Sequence, residues 1–109
     1  MNGHIQAQIM TLRNQAKTAL ARGDGTDSLA ALRQALALAQ QDKSSLLYGT
    51  VCLELVEHHA KTLSHLEIRH LLREAVRVFQ ALTDQGVEEA RSPLATARLL
   101  QTRMSPPWL

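Results

Sequence analysis

Residues 9–41, IMTLRNQAKTALARGDGTDSLAALRQALALAQQ, decide the fold. Before Gly23, apolar side chains return every three or four residues at Ile9, Leu12, Ala16 and Ala19 or Leu20. After Gly25 they do so again at Leu29, Leu32, Ala35, Leu36 and Ala39. That spacing lays one apolar stripe along each of two helices. Gly23-Asp24-Gly25 ends the first helix, and Thr26 and Asp27 are the expected caps of the second. Two such stripes joined by so short a turn predict an antiparallel helical hairpin.

Outward from this hairpin, the first helix extends back to Ile5 and runs over residues 5–22, and the second fades at Gln41-Asp42-Lys43. Ser44 or Ser45 opens a third helix that reaches Thr62, with Tyr48, Val51, Cys52, Leu55, Val56 and His59 on its inward arc. Gly49 within it costs up to about 1 kcal/mol against alanine, which a closely packed neighbour would justify. Ser64 opens a fourth helix, with Glu67 three residues on as in a capping box. Its stripe is Ile68, Leu71, Leu72, Ala75, Val76, Phe79 and Leu82, and it closes at Asp84-Gln85-Gly86. A fifth helix covers residues 87–104, kinked or restarted at Pro93. The predicted architecture is one all-α domain over residues 1–104, followed by a Pro-rich tail over residues 105–109. In that tail Trp108 is expected to fold back over the last helix, the alternatives being docking on another subunit or disorder.

Composition agrees with helices. Of 109 residues, 45% are hydrophobic, but the only aromatics are Tyr48, Phe79 and Trp108, too few for a β-sandwich or barrel. Twelve basic against ten acidic side chains give +2, too small a charge to point to nucleic acid or a membrane surface. No apolar run is long enough to span a bilayer, and MNGHIQAQIM lacks the pattern of a secretory signal, so a cytoplasmic protein is expected. Cys52, the single cysteine, lies between Val51 and Leu53 and reads as an inert buried thiol.

The chain also repeats itself. With an offset of 40, Leu12 meets Cys52, Ala16 meets Val56, Ala19 meets His59, Leu32 meets Leu72, Ala35 meets Ala75 and Leu36 meets Val76. In these residues the chain resembles tetratricopeptide-repeat (TPR) proteins. Leu12, Ala16, Gly23, Leu32, Ala35 and Leu36 carry the better match, and Val56, Leu72, Ala75 and Val76 a second one. Leu12 and Cys52 stand where that family has a large aromatic, and Leu63 where it has the turn glycine. The resemblance implies helical hairpins stacked as a short solenoid, the fifth helix covering its apolar edge. It further implies a concave groove that holds a partner's peptide or helix. Carried over by position, Met10, Arg13 and Lys17 line that groove from the first hairpin, and Thr50, Leu53, Glu57 and Lys61 from the second.

The function so implied is a non-enzymatic adaptor or scaffold, with no cofactor. Two repeats are fewer than a continuous core usually needs, so a homodimer or a place in a larger complex is expected. A small chaperone or accessory subunit would use the same groove. A helical subunit on nucleic acid would use Arg69, Arg73 and Arg77, four apart on the fourth helix, although no aromatics interleave them as a stacking platform. Five histidines do not make a metal site, since His58 and His59 project about 100° apart on a helix and no ligand-spaced cysteine or carboxylate accompanies them. His59, on the apolar arc, is expected to be a neutral histidine bonded to a carbonyl or polar side chain. Glu54, Glu57, Glu67, Glu74, Glu88 and Glu89 read as helix-surface charges. No phosphate-binding loop or nucleophile motif is present, so an enzyme is not expected.

Overall fold

In a computed structural model, described over residues 2–104, the chain forms five α-helices: α1 (Gly3–Ala21), α2 (Gly25–Ala39), α3 (Leu46–His59), α4 (His65–Asp84) and α5 (Arg91–Met104). Short 3-10 turns at Gln40–Asp42 and Glu88–Ala90 lead out of α2 and into α5. The tail and Trp108 lie outside the described residues.

Local chemistry sets the helix ends. Asn2, Asp24, Ser45 and Ser64 each accept, through the side chain, the amide hydrogen three residues on. The cap of α2 is therefore Asp24 rather than Thr26 or Asp27. The Asp27 amide, bonded to it, draws the Asp24 carboxyl below its usual range. Ser64 caps α4, but the Glu67 carboxylate does not complete a box; it pairs with Arg33 of α2 at 3.0 Å.

α1 and α4 end alike. Gly23 (φ 81°) and Gly86 (φ 89°) take the left-handed conformation that side chains resist. At each, the next residue's amide reaches back five positions in the closing pattern, Asp24 to the Ala19 carbonyl and Val87 to that of Leu82, both at 2.9 Å. The α3–α4 turn has no glycine and is held instead by the amides of Thr62 and Leu63 on the His59 carbonyl, which ends α3 three residues short of Thr62. Pro93 sits in the first turn of α5, where its missing N–H is not needed, so it neither kinks nor restarts the helix.

Successive helices pack as antiparallel pairs, α1 on α2, α2 on α3, α3 on α4 and α4 on α5. Their ties show the direction: Gly49 of α3 lies under Phe79 of α4, Ser28 of α2 meets His59 of α3, and Arg98 of α5 bonds Gln80 of α4. Consequently α1, α3 and α5 run one way and α2 and α4 the other. Lighter contacts join α1 to α3 and α3 to α5. The body measures 37 × 33 × 20 Å with a radius of gyration of 13.6 Å, near the value of about 13 Å for a compact chain of this size.

α3 is the centre. Tyr48, Val51, Cys52, Leu53, Leu55 and Val56 are all buried, so the apolar arc is wider than expected and takes in Leu53, while Glu57 and His58 near the helix end stay exposed. α4 is amphipathic, burying Ile68, Leu71, Leu72, Ala75, Val78 and Phe79. α1 buries Ile9, Ala16 and Ala19, while Leu20 turns outward. Burial pushes the Cys52 thiol up to about 12, which removes its thiolate chemistry near neutral pH.

Candidate functional site

Of the sequence-predicted groove residues, Arg13 and Lys17 lie at the seam where α1 and α3 run parallel, beside Glu54 and His58 of α3. Its central contact is unanticipated. Arg13 of α1 donates from Nε to Glu54 Oε1 of α3 at 2.6 Å, across 41 positions of sequence. Glu54 is only 8% exposed, so it is a partnered core carboxylate rather than a helix-surface charge. Arg13 also contacts the Met10 sulfur. Its guanidinium is thus occupied on both sides.

The other groove residues divide by depth. Met10 and Lys17 flank Arg13 on the open side of α1, and Leu20 continues the row; Met10 is 43% and Leu20 37% exposed, two of the largest apolar side chains left in solvent. Glu57 and His58 are exposed on α3, and Lys61 is exposed in the turn that follows it. Thr50 is half-buried and donates its hydroxyl to the Leu46 carbonyl at 2.8 Å. Leu53, at 5% exposure, belongs to the core and offers a guest nothing. A void of only about 10 Å³ remains beneath Arg13, Lys17, Leu20, Glu54 and His58, so the two helices close on each other and leave a shallow face rather than a deep channel.

Directly under this face lies a buried polar pair. The Ser28 hydroxyl and His59 Nε2 share a hydrogen bond of 3.0 Å, and both side chains are almost fully buried. Burial, and after it the neighbouring His58 and Arg33, holds the His59 imidazole below its ordinary range and keeps it neutral.

The arginines of α4 have unlike surroundings. Arg77 is bound to Glu74, from Nε at 2.9 Å, and to the Lys43 carbonyl at 2.9 Å. Glu74 in turn accepts from the buried Tyr48 hydroxyl at 2.8 Å. Arg77 holds the Glu74 carboxyl below its usual range, while burial first and the Glu74 hydrogen bond second push the Tyr48 phenol up. Arg77 is therefore a structural clamp between α4 and the start of α3, and the expected stripe shortens to Arg69 and Arg73. These two line a groove of about 300 Å³ between α4 and α5, with Ile68, Leu72, Thr102 and Met104. On the outer side of the first hairpin run two shallower hollows of about 580 and 540 Å³, lined mainly by amide, hydroxyl and alanine side chains.

Among the described residues, no three His, Cys, Asp or Glu side chains gather as metal ligands, and no helix is long and apolar enough to cross a membrane. No protein-family model, curated protein or solved structure matches the chain. The tetratricopeptide likeness thus remains one of pattern.

Proposed function

We propose that the protein is a non-catalytic adaptor, and that the α1/α3 face receives a peptide or helix of a partner protein. The observation that carries this reading is the parallel placement of α1 and α3. It brings Lys17 and Leu20 beside His58, with Met10 on Arg13 and the Arg13–Glu54 pair fixing the register. Two exposed apolar side chains separated by charge suit a segment with apolar anchors and polar residues between them.

The finer architecture we propose is a short tetratricopeptide-like solenoid covered by α5. Two regularities support it. The neighbour relations of α1, α2 and α3 recur in α3, α4 and α5. The Arg33–Glu67 pair, 34 positions apart, joins α2 to the parallel α4. With Leu66 and Leu99 also exposed, self-association or membership of a larger complex is the companion proposal. Size-exclusion chromatography with light scattering tests it, and a species of 12 kDa at millimolar concentration would refute self-association.

The adaptor reading is tested by selecting peptides from a random library on the immobilised protein and mapping them by amide chemical shifts. Perturbations at Met10, Lys17, Leu20, Glu57 and His58, lost in Leu20→Asp, are expected. Ligands that instead map to Arg69 and Arg73 would refute the assignment of the face. A bound peptide that gains helicity would place the protein with helix-holding chaperones.

A further inference from the structure

The groove between α4 and α5 has a floor of Ile68, Leu72 and Met104 and a rim of Arg69 and Arg73. No carboxylate lines it, and neither arginine has a hydrogen-bond or ion-pair partner among the described residues. Because α4 and α5 are antiparallel, the end of α5 delivers the chain to this place. Met104, the last described residue, is itself part of the lining.

We propose that the groove is the docking site of the chain's own Ser105-Pro106-Pro107-Trp108-Leu109 segment, with the indole of Trp108 against the guanidinium groups of Arg69 and Arg73. Reach permits it. Five residues in the extended form favoured by consecutive prolines span about 15 Å, at about 3.1 Å each. The stretch of α4 from Ile68 to Arg73 rises only about 7.5 Å, at about 1.5 Å per residue. The chemistry selects the contact. None of the segment's side chains is acidic, and among them the electron-rich indole face is the complement to two arginines that have no partner among the described residues. Leu109 and the edge of the indole suit the apolar floor. Pro106 and Pro107 restrict the free segment, which lowers the entropy lost when it is laid down.

Trp108 is the only tryptophan, so its fluorescence reports on this contact alone. In the full chain its emission is expected to be blue-shifted and protected from acrylamide relative to the urea-unfolded chain, equally so at micromolar and hundredfold higher concentration. The double variant Arg69→Ala/Arg73→Ala, with its helical circular dichroism unchanged, should shift emission to the red and raise the quenching constant several-fold; Arg91→Ala should change neither. Solvent-like emission in the parent would overturn the proposal. So would protection that grows with concentration, which would put the segment on a second copy, or protection indifferent to loss of both arginines, which would put it elsewhere on the chain.

Discussion

Gly49 shows how one hydrogen atom sets the distance between two helices. A β-carbon there would come within 2.9 Å of the Phe79 ring and 3.3 Å of Val78, both fully buried. Helix propensity favours Gly49→Ala by about 1 kcal/mol. Overpacking against a ring that cannot retreat costs about 1–3 kcal/mol. The variant should therefore lose stability, seen as a lower urea midpoint. The glycine was legible in the sequence as a weak point that needed a close neighbour; which neighbour was not, because the helix contact is set by tertiary register. His59 was legible as a buried neutral histidine, and Ser28 was missed because a serine in the first turn of a helix usually caps or faces water. The sign of its pH effect follows from its lowered proton affinity. The unfolded chain takes up a proton near pH 6.5 and the folded chain only at lower pH. Between the two values the unfolded state binds more protons, so stability falls as pH falls through that window and is steady above it. Urea midpoints from pH 8 to pH 5 should show that decline, and His59→Gln should flatten it.

At the scale of the element, the two glycine-closed ends predict a matched pair of variants. Gly23→Ala and Gly86→Ala meet no steric neighbour, so their cost comes from the backbone alone. A left-handed residue with a β-carbon costs about 1 kcal/mol, and each variant should lower the melting temperature by a similar amount. The helix order and the caps at Ser45 and Ser64 could be read from spacing and turn residues. α3 could not be read as fully from its pattern. Its inward arc was evident, yet Leu46, Leu47 and Leu53 carry apolar side chains well beyond it over the first turns, the mark of a stretch enclosed by neighbouring helices. A carboxylate in such a helix must find a partner, and that reasoning would have singled out Glu54. The Glu74–Arg77 spacing was visible too, but its link to Tyr48 required knowing that α3 and α4 bring the phenol and the carboxylate together.

Over the whole molecule, the Arg13–Glu54 pair is the main polar tie between the first hairpin and the central helix. Arg13→Ala should be costly, by about 3 kcal/mol, because it abandons a nearly buried carboxylate. Arg13→Met with Glu54→Leu should recover much of that loss, since two apolar side chains of similar size need no partner. Denaturation of Arg13→Met, Glu54→Leu and the double variant would close the cycle, and a double variant that loses as much as Arg13→Met alone would contradict it. Alternation of direction along five helices has one more effect. An odd number of passes leaves Asn2 and Met104 at opposite poles of the slab, on its two outermost rods. Cargo fused at one pole is therefore held a full rod length from anything anchored at the other, and copies threaded head to tail would advance in a line without any connecting strand having to double back.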